Sequence, residues 1–496
     1  QVGDPANDVL RVDAADLRAR VIGEGANLGV TQAGRIEFAL RGGRINTDFI
    51  DNSAGVDCSD NEVNIKIALA GARRAGRLSE PRRNKLLTEM TDEVAELVLE
   101  DNRLQALALS IAELGGAKAT ASQLRLIETL EDRGYLDRRT EGLADGEALA
   151  RRASDGAGLA RPELAVLLSS TKLVLQDAIE QSPLPDEPAL EPDLFGYFPA
   201  PMRAKFKAHI LDHRLRREII ATSLANRIVN RLGLVNPFEL AEEEGVELAQ
   251  VAAAFVAAEK LFGIEALWDR LDRAAMPESA RIMLFDRVAT AMRSQMADLL
   301  RAGVGRAGPS RIVEELSRGV GELASDTEGL LAAESRQQSA KMRAAFAEMG
   351  APADIAADVA HLFDMDGAVG LARLARDAEI GARDLTCAFT DLGARLGLDW
   401  AQGTAALMDP SDVWERLLVA GLARDFQQMR LDFLRRLSRR KDARSDPAGA
   451  VAAWAEENET AIRQFRAMIG RAQAHSPVAP AMLAQIASQA RNLLGR

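Results

Sequence analysis

Aromatic side chains are scarce in this sequence, with 2 Tyr, 4 Trp and 15 Phe among 496 residues. Sandwiches and barrels lean on aromatic and β-branched residues for their half-buried strands, so a helical chain rich in Ala and Leu is expected instead. Cysteine is nearly missing too. Cys58 and Cys387 are the two present, too few to staple a chain this long, which excludes a disulfide framework and leads us to expect a reducing, cytoplasmic setting. No apolar run approaches the ~20 residues of a membrane span, and no basic-then-apolar leader opens the chain, so neither membrane nor export signal is expected. Positive charge is in deficit: the net charge is −12 and the pI near 5.2. Phosphate binding needs a basic surplus, so nucleic acid is not an expected partner.

What is present is length and ordinary globular composition, enough for two to four domains with sizeable cores. The chain opens at Gln1, directly into patterned sequence, and we read it as a piece of something longer. Its first 60 residues differ from the rest. Short β-branched runs, Val21-Ile22 and Arg44-Ile45-Asn46-Thr47, alternate with glycine turns and with a helical pattern over Thr31 to Leu40. Strand, turn, helix, strand is the βαβ pattern of a parallel sheet. Beyond Ser59 almost everything reads as helix. One apolar stripe joins Leu86, Met90, Val94, Leu97 and Val98, and another runs from Leu215 through Leu224 to Leu232, stopped by Gly233. Pro162 opens a helix, and Asn236, Pro237 and Glu239 form a start signal for the next. The proline-rich stretch 182–192 reads as a linker. The expected fold is mainly α: a short α/β, incomplete Rossmann-like segment over residues 1–77, then a helical domain over 78–496 with a possible sub-boundary at 182–192.

Two segments carry chemistry. The first, Gly23-Glu24-Gly25-Ala26-Asn27-Leu28-Gly29-Val30-Thr31, lies between a strand and a helix. Its glycines let backbone approach a flat ligand, and the Asn27 amide can donate and accept. It is equally a tight turn whose ligand sits elsewhere. The second, Asp51-Asn52-Ser53-Ala54-Gly55-Val56-Asp57-Cys58-Ser59, follows the next strand. Ser59 and Glu62 fit a capping box for a helix beginning at Asp60, which makes Ser59 either a structural N-cap or a carboxylate ligand at a helix N-terminus.

About 25 residues apart, these segments together resemble the end of the nucleotide-binding domain of glutamate dehydrogenases, with its G-A-N-x-x-x-T and N-x-x-G-V-x-x-S turns. The resemblance implies NAD as cofactor, held on its nicotinamide-ribose side by Gly25, Ala26 and Asn27 and near the nicotinamide by Asn52. Ser59 would then bind a carboxylate of glutamate. Val30, Ala54-Gly55 and Asp60-Asn61-Glu62 depart from the small hexameric enzymes and point to the large NAD-specific class. Gly158-Leu159-Ala160-Arg161-Pro162-Glu163 and the segments His213 to Thr222 and Ala225 to Arg231 resemble signatures of that class. The reaction implied is oxidation of L-glutamate to 2-oxoglutarate and ammonium in a homo-oligomer. The family's catalytic lysine and acid and its phosphate-cradling loop belong upstream of Gln1, so no catalytic residue is assigned and the chain alone is expected to be inactive.

Other candidates read as structural. His209 and His213 are too few for a metal site, and no metal is expected. Arg435 to Lys441 reads as the solvated face of an amphipathic helix, Cys58 as a buried thiol, and Trp268, Trp400, Trp414 and Trp454 as core residues. Two rivals remain. One is a non-catalytic helical scaffold or regulatory module with a vestigial nucleotide segment. The other is a different NAD(P) enzyme in which Gly23 to Gly29 cradles phosphate and Asp48 or Asp51 holds the ribose.

Overall fold

The computed structural model describes all residues except Gln1, Val2, Asp4, Ala26, Leu28, Asp409, Ser411, Asp412 and Arg496, and the side chains of Val413, Arg416, Leu417 and Ala420. Among the described residues two strands form, β1 (Val21–Ile22) and β2 (Arg44–Ile45). They pair in parallel, Val21 opposite Arg44 and Ile22 opposite Ile45. Helix α1 (Gln32–Leu40) connects them, capped by the Thr31 hydroxyl, which accepts from the Gly34 N–H at 3.1 Å. Ala14, Phe38 and Ile45 form a small core here, with Ile22, Val30 and Ala39 packed against it. The βαβ start and the predominance of helix thus agree with the sequence pattern.

After β2 the regular elements among the described residues are all helices. The short α2 (Asp48–Asp51) leads into α3 (Ser53–Arg74), then α4 (Glu80–Glu89), α5 (Thr91–Glu113), α6 (Thr120–Asp132), α7 (Gly146–Ser154) and α8 (Arg161–Glu180). Next come α9 (Glu191–Tyr197), α10 (Ala200–Lys205), α11 (Lys207–Leu211) and α12 (Arg216–Leu232), which Gly233 ends at φ 97°. The stripe expected over 86–98 is divided at Met90, where α4 meets α5, although Leu86, Met90 and Val98 are all buried. Stretch 182–192 forms two short 3₁₀ turns, Leu184–Asp186 and Pro188–Leu190, with Leu184 and Leu190 buried.

The chain divides into two compact units. The first comprises Gln1–Val256, Phe285–Arg293 and Gly305–Ser310. Its hub is α8, which packs against α1, α5 and α12. Leu164, Leu167, Leu168, Val174, Leu175 and Ile179 are all buried, so α8 is apolar on most of its circumference, as a helix enclosed by others must be. The second unit, Ala257–Leu284, Ser294–Val304 and Arg311–Arg496, is helical throughout. There the Val413–Leu437 helix packs against Leu398–Leu407 and Pro480–Leu494. Its Arg430 is buried, pairs with Asp399 at 2.6 Å and lies 4.0 Å from the Phe389 ring centroid. The basic run at its end does pair locally, Arg435 with Asp432 and Arg440 with Asp442. Trp268 is buried as expected, but Trp414 is 78% exposed and is not a core residue. No described helix is long and apolar enough to cross a membrane.

A buried ion triad fastens the βαβ start. Arg35 of α1 sits between Glu24 and Asp48, with Arg35–Glu24 at 2.6 Å and Arg35–Asp48 at 3.0 Å, all three residues under 9% exposed. Replacing Arg35 with Met strands two buried carboxylates, and we expect a loss of about 3–5 kcal/mol in urea denaturation. The triple replacement with apolar residues of matched volume should recover most of it.

Candidate functional site

β1 ends at Ile22 and β2 at Ile45, so the turns bearing the two motifs both leave the carboxyl ends of a parallel pair. Ligands of open α/β sheets sit at that end, because the loops there converge. Each turn is anchored by side chains. Glu24 closes the first: its N–H donates to Asp51 Oδ2 at 2.8 Å, and its carboxylate accepts from the Val30 N–H at 3.2 Å. Asn27 lies midway between these anchor points. The Glu24 carboxylate is only 4% exposed and is balanced by two donors from Arg35, Nε at 2.6 Å and Nη2 at 2.9 Å. Burial opposes the Arg35 charge, but the hydrogen bonds and charges of Glu24 and Asp48 prevail and raise its pKa.

The second turn is held from the helices. Asp51 accepts from Asn46 Nδ2 at 2.6 Å, and Asn46 accepts in turn from Arg161 Nε at the start of α8. Arg161 also donates to Glu113 at 2.6 Å, to the Ala106 carbonyl at 2.8 Å and to Ser110 at 3.0 Å, all on α5. From α5, Asn102 donates to the Ile50 carbonyl and to Ser53 Oγ, both at 2.9 Å. The Ala160 N–H donates to the buried Glu163 carboxylate at 2.7 Å, which Arg152 also engages at 2.6 Å, fixing the entry to α8.

Between these anchored turns the structure brings Asn27 and Asn52 together: Asn52 Nδ2 donates to Asn27 Oδ1 at 3.0 Å, exposed to solvent. Ala26 lies outside the described residues. At Gly25 an added Cβ would meet nothing within 4 Å among the described residues, so their packing does not demand glycine there. Gly55 is a residue that motif reading undervalued. A Cβ on it would stand 2.9 Å from Asn52 Oδ1, so the absence of a side chain one turn into α3 lets the Asn52 amide fold over the helix start.

Ser59 is placed differently from the capping expectation. The helix begins at Ser53, not Asp60, so Ser59 is an interior helix residue and no capping box forms; Glu62 pairs with Lys66 instead. No proline lies between Ser53 and Ser59, and Asn61 reinforces the helix by donating to the Asp57 carbonyl and carboxylate, both at 3.1 Å. The helix N–H groups at Ser59 are therefore not free for a carboxylate. Its hydroxyl, exposed and only 3.5 Å from the Gly55 carbonyl, is loosely engaged. Ser59 stands about 10 Å along α3 from Asn52. Cys58 is exposed rather than buried.

Other candidates resolve structurally. His213 follows α11 rather than sharing a helix with His209. Its Nδ1 accepts from the Leu215 N–H at 3.1 Å, so Nε2 carries the proton and donates to the Asn64 carbonyl at 3.1 Å. Burial lowers its pKa, which keeps it neutral. Asp48 and Asp51 are both engaged, by Arg35 and by Glu24 and Asn46, so neither is free to hold a ribose as the phosphate-loop rival requires. Arg35, the first cation after that loop, is likewise taken. An amide pair suits a carboxamide and ribose hydroxyls, which need both donors and acceptors, better than a phosphate.

A parallel βαβ unit with amide-bearing turns gathered at its strand ends defines the class: an open α/β segment braced by helices. Comparison with known proteins narrows it. The bacterial NAD-glutamate dehydrogenase catalytic-domain model matches residues 1–112, and the glutamate dehydrogenase C-terminal model matches residues 156–492. The NAD-specific glutamate dehydrogenase of Pseudomonas aeruginosa is 34% identical over 97% of this chain. Those of Halomonas elongata and Mycobacterium tuberculosis are each 36% identical over 84% of it. The chain belongs to the bacterial NAD-specific glutamate dehydrogenase family. It spans 26% to 30% of the length of these relatives.

Gly55→Ala should separate stability from binding. Alanine is favoured over glycine in helices by about 0.5–1 kcal/mol, so the melting temperature should hold or rise. NAD affinity of the full-length protein, measured by calorimetric titration, should fall several-fold as Asn52 is pushed off Asn27.

Proposed function

We propose that this chain works within a longer enzyme that oxidises L-glutamate to 2-oxoglutarate and ammonium, with NAD as hydride acceptor. The observation that carries this reading is the Asn27–Asn52 amide pair at the strand ends, in a chain of this family. Gly25, Ala26 and Asn27 hold the nicotinamide-ribose side of the cofactor, with backbone approach at Gly25 and hydroxyl recognition by the Asn27 amide. Asn52 spans cofactor and substrate, its amide oriented by Asn27. Ser59 donates its hydroxyl to a carboxylate of glutamate. Because Asn52 and Ser59 bracket the start of one continuous helix, their separation is rigid. A substrate held at both is aligned for transfer, which reduces the entropic part of the barrier.

The polarising lysine and the acid of the reaction are assigned to no residue here, and this span alone does not turn over substrate. The sequence segment assigned to catalysis is residues 1–77. The helical remainder, 78–496, serves assembly of a homo-oligomer or regulation, and the enzyme works in the cytoplasm. In the full-length protein, NADH formation from glutamate should fall about tenfold or more in Asn27→Ala and Ser59→Ala, at least ~1.4 kcal/mol of transition-state stabilisation each. Ser59→Ala should act chiefly on KM for glutamate, Asn27→Ala on KM for NAD. No turnover of glutamate by the wild type would overturn the reading in favour of a non-catalytic scaffold.

A further inference from the structure

The side of α3 that packs on α5 holds a cluster that the proposed site does not use. Asp57, two residues before Ser59, is half-buried, and its Oδ1 accepts from Asn61 Nδ2 at 3.1 Å. Its Oδ2 is buried with no hydrogen-bond donor among the described residues. The Asp101 carboxyl, on α5, lies within hydrogen-bonding reach of Asp57. Two carboxyls in that relation are satisfied only if they share a proton, since two carboxylates have no donor between them and repel. Lys172 of α8 supplies the nearby positive charge. The other groups facing the cluster are Asp60 on α3, Glu100 on α5 and the Tyr197 hydroxyl on α9, which accepts from Asn64 at 2.8 Å. One shared proton and one ammonium leave the two carboxyls and the lysine neutral together.

We propose that Asp57, Asp101 and Lys172 form a proton-dependent clamp between α3, α5 and α8 that positions the helix start bearing Asn52 and the exposed face bearing Ser59. They are positioning residues acting through α3, and the catalytic consequence rests on the function proposed above. Burial first, then the charges of Asp101 and Asp60, push the Asp57 carboxyl up to about 7. Burial also raises Asp101 and drives Lys172 down to about 7 against the pull of both carboxylates. A carboxyl raised from 3.8 to about 7 favours the folded state at low pH and loses that contribution as pH climbs through this window. A lysine lowered from 10.5 to about 7 loses its contribution as pH falls through that range. Both losses meet near neutrality. There, departure of the shared proton sets two carboxylates against each other and loosens α3 from α5.

The test uses the full-length protein with Asp57→Asn, Asp101→Asn and Lys172→Met. Either asparagine can donate to the remaining carboxylate at every pH and should keep the clamp closed. Hydrogen exchange of α3 amides, compared between wild type and variant at the same pH, should match at pH 6. At pH 8.5 it should be at least threefold faster in the wild type. Lys172→Met removes the countercharge and should move the wild-type transition upward by about one unit or more. In turnover, KM for glutamate should rise with pH in the wild type and stay flat in both asparagine variants, with kcat little changed. If α3 exchange in Asp57→Asn and Asp101→Asn follows wild type at both pH values, the clamp is refuted whatever the activity. If exchange separates as expected but the wild type ignores glutamate, the clamp stands and the proposed function falls.

Discussion

The placement of both motif turns depends on one guanidinium. Arg35 leaves α1 for the interior between Glu24 and Asp48, each of which would be costly to bury alone. Such a triad stabilises less than an apolar core of the same volume would, because three charges must first be stripped of water. What it supplies is direction. Glu24, held by Arg35, closes the loop around Asn27 through Val30 and Asp51, while Asp48, held by the same group, fixes the first turn after β2. Two loops that are 25 residues apart in sequence therefore take their positions from one side chain, and the Asn27–Asn52 bond follows from that.

The parts of this arrangement legible in the sequence were those set by local pattern. β1, α1 and β2 followed from β-branched runs, glycine turns and a helical period, and the Gly233 stop and the helix at Pro162 from capping chemistry. The Asn27 and Asn52 turns were found through family resemblance, not from periodicity. What stayed hidden was contact between distant segments. Nothing in the vicinity of Arg161 announces that it reaches Asn46, 115 positions earlier. Gly55 looked like a motif letter, whereas its role is to make room for a neighbouring amide. The capping box at Ser59 misled because S-x-x-E also occurs inside helices, where glutamate takes a lysine one turn on, as Glu62 takes Lys66. Trp414 and Cys58 show the same limit, since residue type alone does not decide burial.

The interior of the first unit combines two kinds of order. Around α8 it is apolar and closely filled, which gives rigidity without much directional information. At the α8 entry and along α5 it is polar, and two side chains there tie several segments together: Arg161 with Asn46, Glu113, Ser110 and the Ala106 carbonyl, and Asn102 with Ser53 and the Ile50 carbonyl. Such networks specify geometry, because a shifted helix would leave donors unmatched in a low-dielectric setting. The strand-end turns are thus the exposed surface of a scaffold whose precision comes from beneath.

The bond from Arg161 to Asn46 also joins the stretches matched by two different family models. Asn46 lies within the stretch matched by the catalytic-domain model and Arg161 within that matched by the C-terminal model, yet both sit in one compact unit. The two stretches are therefore not interchangeable modules. A chimera that took its first 112 residues from one relative and the rest from another would have to rebuild that bond across the joint. The joint would be sound only where that handshake was preserved.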